Sequence, residues 1–263
     1  MTLAGVLDRI GQIGRSFLSR NFYVGAISTE CVANIIKPSS WVQPVRSRLA
    51  KQILFAGVEA IPFTVFSGVL MGIVLTINSY QWLELTGGLE FLGPVVSLIL
   101  IREAAPFFAC FIVISASASA ITSELANMRV SGEIDLVESQ GINLVQLLIM
   151  PRALGLSIAS AVLGMIFVAS AFAASALGVL MIGRIPLGPF FNSIFESLSK
   201  VDLYNLVGRS AVASFFIGVI CCFEGLNVVG PTTSVPRAVT KGMLRSVEVT
   251  LIVSAGFAVM TYL

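Results

Sequence analysis

The 263-residue sequence lacks histidine and carries charged side chains at 11% of its positions. An average soluble domain has about 25% charged residues, so this composition excludes an ordinary soluble protein. The absence of histidine removes the commonest general base and the commonest metal ligand. The formal net charge of +2 is too small to indicate a protein that binds nucleic acid. With 56% hydrophobic residues, the chain is predicted to be an integral membrane protein.

Two further absences narrow the chemistry. The pattern G-x-x-x-x-G-K-[ST] does not occur, so the chain is not expected to bind a nucleotide by that route. If transport uses ATP, hydrolysis belongs to a separate subunit. The cysteines have no metal-ligand spacing and are interpreted as small apolar residues of the core: Cys31, Cys110, Cys221 and Cys222. We therefore expect no catalytic residue, no metal and no cofactor in this chain.

Long apolar stretches predict five membrane-spanning helices, since about 20 residues of helix cross the hydrocarbon core. Residues 1–51 combine seven basic residues with apolar residues at helical spacing, which predicts an amphipathic helix at the membrane surface. Residues 52–263 are predicted to form one five-span domain. The predicted spans are residues 53–77, 91–121, 153–182, 203–223 and 247–263. The fold class is therefore an all-α integral membrane protein.

Basic residues are distributed unevenly over the predicted loops. Twelve lie in the N-terminal region and in the segments that follow spans 2 and 4, against two in the remaining loops. Because positively charged segments stay in the cytoplasm, the N terminus is predicted to be cytoplasmic and the C terminus to lie on the opposite side. The segment of residues 124–152 and the predicted loop of residues 224–246 then face the cytoplasm.

A few charged residues interrupt the predicted spans. Pro106 cannot donate a hydrogen bond to the carbonyl group of Arg102, so the second span is weakened beside the pair Arg102 and Glu103. Such a pair is either a functional site or a salt bridge to a neighbouring helix, and the sequence leaves both alternatives open. Glu59 and Arg209 lie close to the ends of their spans, where their side chains are expected to reach the interface.

The segment of residues 124–152 is the longest charged interruption of the apolar sequence. Its apolar residues recur at helical spacing, which predicts one or two short amphipathic helices separated by Gly132 and Gly141. Pro151 is expected to begin the third span. An acidic amphipathic segment in the cytoplasm is suited to docking a soluble partner, and the alternative is a helix that stays at the lipid surface.

Several motifs in this order resemble a known family. The pattern E-L-x-x-M-R-x-x-x-x-I-D covers residues 124–135, and Pro-Arg follows Gly141 by ten residues. The pattern R-E-x-x-P at residues 102–106 and the segments 68–80 and 236–246 extend the agreement. The chain is similar, from about residue 50 onward, to the MlaE (YrbE) permeases, the membrane subunits of ABC transporters that work with MCE proteins.

The resemblance implies a dimeric permease in the bacterial inner membrane, either a homodimer or a heterodimer with a related permease. Its implied partners are an ABC ATPase, which would use the ATP, a periplasmic MCE-domain protein and a small STAS-type accessory subunit. The implied cargo is phospholipid or a related lipid, moved between the inner membrane and the MCE protein in support of outer-membrane lipid asymmetry.

The resemblance also implies two groups of site residues. Lipid contact is expected from one face of the first span and from the charged pair of the second: Val69, Ile73, Thr76, Ile77, Tyr80, Arg102 and Glu103. Coupling to the ATPase is expected from the segment around Gly132: Glu124, Met128, Arg129, Glu133, Asp135 and Gly141. The sequence departs from the family pattern at three places. Residues 117–120 (SASA) replace Gly-Arg-x-Gly, Gly132-Glu133 replaces Glu-Gln, and Leu144 replaces a proline.

Two other classes of function remain as alternatives. In a stand-alone secondary transporter or scramblase, Glu59, Arg102 and Glu103 would form a proton or ion relay. An integral-membrane enzyme of lipid metabolism is the least supported, because the sequence has no histidine cluster or paired aspartates of the kind found in catalytic membrane sites. A stoichiometric ATPase that purifies with the chain would favour the permease.

Overall fold

The structure is a computed structural model and describes residues 22–37, 41–183 and 186–262. Within these ranges the regular elements are all helical. The first part of the predicted N-terminal amphipathic helix, with Arg9, Arg15 and Arg20, lies outside the described residues, as does Arg184. The described part of the N-terminal region forms two helices, and the second of them crosses the predicted domain boundary at residue 52.

The α-helices of the described chain are numbered here in chain order. They are α1 Phe22–Ile36, α2 Gln43–Ile53, α3 Ile61–Thr86, α4 Leu92–Leu98, α5 Ala105–Val113, α6 Ser119–Val130, α7 Glu133–Ser139, α8 Met150–Ile182, α9 Leu187–Ser197, α10 Lys200–Leu226 and α11 Val235–Tyr262. Several of them join into longer helical rods.

Five of these rods are long and apolar enough to cross a membrane, which confirms the predicted number of spans. They are Gln43–Thr86, Leu89–Val130, Val145–Ile182, Lys200–Leu226 and Thr232–Thr261. The second rod, Leu89–Val130, is called span 2.

The helices are longer than the apolar stretches that predicted them. The first rod continues to Thr86, although residues 78–90 were expected to form a loop, and α11 begins at Val235 inside the expected loop of residues 224–246. Arg237, Lys241 and Arg245 therefore lie on a helix, which corrects the prediction. Hydropathy reports the part of a helix that lipid surrounds, whereas a helix can continue into water as long as its sequence favours it.

The helix is interrupted at Pro106, as predicted, and a second break occurs at Pro62. Pro62 lies in the first turn of α3, and Pro106 lies in the first turn of α5 after a π-helical segment at Ile99–Ala104. Because proline has no N–H group, the carbonyl oxygen of Arg102, four residues before Pro106 in the same rod, has no helical donor at that position. Pro151 lies in the first turn of α8 as predicted, although the π-helical turn Val145–Ile149 already precedes it.

The helices α3 and α8 run side by side in the same direction, and small residues bring their backbones together. A Cβ atom placed on Gly72 would lie 2.2 Å from the carbonyl oxygen of Ala171, and one placed on Gly178 would lie 3.1 Å from the Cβ atom of Thr76. A side chain at Gly72 would therefore overlap the backbone of α8. Close approach of this kind is how helices gain packing contacts in an apolar solvent.

Span 2 and α10 form a second parallel pair. Arg102 Nε lies 2.6 Å from Asp202 Oδ1 near one end of this pair, and the hydroxyl group of Thr122 donates to the carbonyl oxygen of Cys221, 3.2 Å away, near the other end. Both helices therefore advance in register along their whole contact. The ends of the bundle are called the α7 end and the α9 end after the short helix that lies at each.

The helix α1 packs at the α7 end of the bundle. Its Glu30 accepts a hydrogen bond from Asn143, 2.9 Å away, and its Cys31 is fully buried in the core that also contains Cys222. Burial, together with the neighbouring Glu30 carboxylate, raises the pKa of the Cys31 thiol to about 12. The four cysteines are all buried and unpaired, as the sequence predicts for core residues.

Candidate functional site

The short helix α7 lies between two glycines that turn the chain. Gly132 has φ +79° and Gly141 has φ +71°, and both values lie in the left-handed region that favours glycine. The chain therefore leaves span 2, forms the seven residues of α7 and turns again before α8. The first of the two predicted short helices is the end of α6, and the second is α7.

One face of α7 is anchored and the other faces outward. Ile134 is 1% exposed in the core, whereas Leu136 is 65% exposed. The carboxylates of Glu133 and Glu138 are exposed on the same helix. An exposed leucine among carboxylates, on a helix held by one buried isoleucine, is suited to fit a groove in another protein.

Side-chain bonds connect α7 to the end of α6. Arg129 Nη1 donates to Asp135 Oδ1, 2.5 Å away, and Ser131 Oγ donates to Glu133 Oε1, 3.1 Å away. The Arg129 and Asp135 side chains are 36% and 66% exposed. Water screens an ion pair at such exposure, so the pair orients α7 and adds little to stability.

Two of the predicted coupling residues lie apart from the surface of α7. Glu124 and Met128 line a cavity of about 510 Å³ between α2, α6 and the start of α8. Glu124 Oε1 accepts a hydrogen bond from Arg152 Nη2, 2.8 Å away. The structure thus brings Arg129, Glu133, Asp135 and Gly141 together at α7 and places Glu124 and Met128 in the neighbouring cavity.

The predicted lipid-contact residues of α3 divide into two groups. Thr76 and Tyr80 are buried, and Thr76 Oγ1 donates to the Gly72 carbonyl oxygen, 2.8 Å away. Val69, Ile73 and Ile77 are half-buried and keep apolar surface on the outside of the bundle.

Arg102 is paired with the neighbouring helix. Its Nε donates to Asp202 Oδ1, 2.6 Å away, and Asp202 Oδ2 accepts from the backbone N–H group of Ser199, 3.1 Å away. Asp202 therefore caps α10 and holds Arg102 at the same time. Asp202 was not predicted as a functional residue, although its position three residues after Ser199 is the spacing of a capping box.

Arg209 is the second link between span 2 and α10. Its Nη2 donates to Glu103 Oε2, 2.9 Å away, and its Nη1 donates to the carbonyl oxygen of Arg102, 2.6 Å away. Pro106, which has no N–H group, cannot donate a hydrogen bond to this carbonyl oxygen. Arg209 is 5% exposed, so the prediction that it reaches the interface is wrong. It is buried because it satisfies a carboxylate and a carbonyl group at once.

The geometry supports the salt-bridge alternative for the charged pair, and lipid contact by Arg102 stays a prediction. Arg102 and Glu103 both form salt bridges to α10, as the second alternative predicted. Glu59, the third member of the hypothetical relay, is exposed on the first rod. The structure therefore gives the relay no support.

In its described residues the protein is a multi-pass helical membrane protein, with five spans and a short polar helix at one end of the bundle. The chain belongs to the MlaE permease family, whose model, described as Permease MlaE, matches residues 49–260. It is an ABC transporter permease, and the recognition from its motifs is confirmed.

Relatives from three organisms carry consistent names. A probable ABC transporter permease protein of Rickettsia typhi is 25% identical over 248 residues, which cover 93% of each chain. The intermembrane phospholipid transport system permease protein MlaE of Haemophilus influenzae is 25% identical over 205 residues, or 77% of this chain and 78% of that one. A probable ABC transporter permease protein of Porphyra purpurea is 25% identical over 199 residues, or 75% of each chain.

Proposed function

We propose that the chain is the permease subunit of an ATP-driven transporter that moves phospholipid between the bacterial inner membrane and a periplasmic MCE-domain protein. Membership of the MlaE family supports this proposal, as does the name of the Haemophilus influenzae relative. The structural observation that carries it is α7, a short, outward-facing helix fixed between two glycine turns. In this proposal α7 is the coupling helix that binds the ATPase subunit.

The proposed orientation has the α7 end in the cytoplasm. Cytoplasmic segments of membrane proteins are enriched in lysine and arginine. Lys200 begins α10 at the α9 end. The basic residues at the α7 end include Arg46, Arg48, Lys51, Arg129, Arg152, Arg237, Lys241 and Arg245. This asymmetry supports a soluble ATPase on the α7 side and an MCE protein on the α9 side.

The lipid is proposed to bind against the first span where a second permease copy, identical or related, completes the site. The half-buried Val69, Ile73 and Ile77 supply apolar surface for acyl chains, and the buried Thr76 and Tyr80 hold α3 against α8 behind them. A STAS-type subunit is a further proposed partner at the α7 end.

Replacing Leu136 with Asp tests the coupling helix. We expect the ATPase to be lost from the purified complex, because a charge in place of the exposed leucine cannot be buried in an apolar groove without a large desolvation cost. The measurement is the ratio of ATPase to permease after affinity purification. The fold is checked by size-exclusion chromatography, since this exposed side chain is not part of the core.

Leu85→Asp is the matched control, because Leu85 is also exposed but lies on α3 at the α9 end. This variant is expected to retain the ATPase. A second variant replaces Glu133 and Asp135 with Lys and is also expected to release the ATPase by reversing the charge of the docking surface. Full retention by both α7 variants would overturn the proposal.

A further inference from the structure

The cavity beside Glu124 carries a charge pattern that the proposed coupling role does not explain. It lies between α2, α6 and the start of α8, and its volume is about 510 Å³. The side chains that give it its character are three basic residues, one acidic residue and two apolar residues: Arg48, Lys51, Arg152, Glu124, Phe55 and Met128. Among its lining residues, three cations therefore face a single carboxylate.

The single carboxylate neutralises only part of this charge. Glu124 pairs with Arg152, which is 7% exposed, at 2.8 Å. Arg48 is close enough to interact electrostatically with both members of this pair, repelled by Arg152 and attracted by Glu124. Two like charges held together at a partly buried site favour a further anion between them.

The helix that carries this charge continues directly into exposed apolar surface. Leu54, Phe55 and Val58 follow Arg48 and Lys51 along the first rod, and all three are exposed. Basic side chains that border an apolar strip are the arrangement that meets lipid headgroups at the edge of a membrane.

We propose that this basic cavity binds a phosphate group, supplied either by the headgroup of an anionic phospholipid or by free inorganic phosphate. The guanidinium group of Arg48 offers paired donors that match phosphate oxygens, and Lys51 supplies a further charged donor. This site lies at the α7 end, apart from Arg102 and Glu103 on the part of span 2 near the α9 end. The inference does not depend on the proposed transport.

The test compares the full-length chain with the double variant Arg48→Gln and Lys51→Gln in a neutral detergent. One arm measures, by native mass spectrometry, the phosphatidylglycerol retained after incubation with mixed micelles. The other arm titrates inorganic phosphate by calorimetry. We expect binding to weaken by about fivefold for each basic side chain removed and about thirtyfold for the pair.

The source of the phosphate is identified by the measurement in which the double variant binds less than the wild type. Loss of phosphatidylglycerol identifies a lipid headgroup site, and loss of calorimetric phosphate binding identifies a site for the free ion. The matched control is Arg46→Gln, an exposed basic residue of the same helix that does not line the cavity. Equal binding by wild type and double variant in both arms, or an equal loss in the control, would overturn the proposal.

A variant with the opposite expected effect guards against a loss caused by misfolding. Replacing Glu124 with Gln removes the carboxylate that competes for Arg152 while preserving the shape of the side chain. Binding in the responding arm should tighten by about fivefold. Unchanged or weaker binding in this variant would contradict an anion site.

Discussion

Ion pairs occur in two contrasting settings in this permease. Between span 2 and α10, Arg102 pairs with Asp202 and Arg209 pairs with Glu103. Arg209 and Asp202 are buried. At the α7 end, Arg129 and Asp135 form a pair of similar length whose side chains are 36% and 66% exposed. The chemistry is the same in the two regions, but the surroundings decide what each pair does: one holds helices together, and the other leaves its charges accessible to a partner.

Two of the four charges that link span 2 and α10, Arg209 and Asp202, are buried, and each makes more than one bond. Arg209 donates to a carboxylate and to a backbone carbonyl group, and Asp202 accepts from Arg102 and from the first turn of its own helix. Charges inside a membrane protein persist when each is compensated in this way, because an uncompensated charge in apolar surroundings is costly.

Breaking the buried cluster should have the largest effect. Replacing Arg209 with Ala leaves Glu103 without its cation and removes the side-chain donor to the Arg102 carbonyl oxygen. The expected loss is about 3 kcal/mol in the free energy of unfolding, the upper end of the range for leaving buried polar groups unpaired, seen as a lower midpoint of thermal unfolding in detergent. The control is Arg237→Ala, an exposed arginine on α11. Equal midpoints of thermal unfolding for Arg209→Ala and Arg237→Ala would contradict the prediction that buried charges stabilise the fold more than exposed ones.

The error about Arg209 shows what the apolar pattern of a single span omits. Its position near a predicted helix end suggested a side chain that reaches the interface. Its actual partners, Glu103 and the Arg102 carbonyl group, come from a helix about 100 residues earlier in the chain. They meet because span 2 and α10 pack in parallel and in register, and that register depends on side-chain packing that apolar periodicity does not report.

The sequence predicted the turns of residues 124–152 better than their tertiary contacts. Gly132 and Gly141 were expected to separate short helices, and their positive φ angles explain why glycine stands there. The cavity around Glu124 was not predicted, because it forms only when α2 packs against α8 beside α6. The five spans could be predicted because a helix that crosses lipid needs a minimum number of consecutive apolar residues, and such a run can be recognised without knowing any tertiary contact.

A smaller effect should separate structure from lipid contact at Arg102. Asp202→Asn removes the partner charge and keeps Arg102, whose side chain is 24% exposed, whereas Arg102→Ala removes the guanidinium group itself. Both are expected to lower the free energy of unfolding by about 1–3 kcal/mol, because each leaves a buried polar group short of a partner. Phospholipid recovered with the protein, measured by mass spectrometry, should fall only in Arg102→Ala. An equal fall in both variants would mean that Arg102 acts through the fold and not by touching lipid.

The smallest effect is expected at the exposed pair. Replacing Arg129 or Asp135 with Ala should change the free energy of unfolding by about 0.5 kcal/mol or less, since solvent screens both side chains. A double-mutant cycle on these two residues gives their coupling energy directly, and the same cycle on Arg102 and Asp202 gives the buried counterpart. A coupling energy above about 1 kcal/mol for the exposed pair would exceed the range for solvent-screened ion pairs. It would show that α7 is fixed rigidly by its own charges, so that these charges serve the fold before they serve a partner.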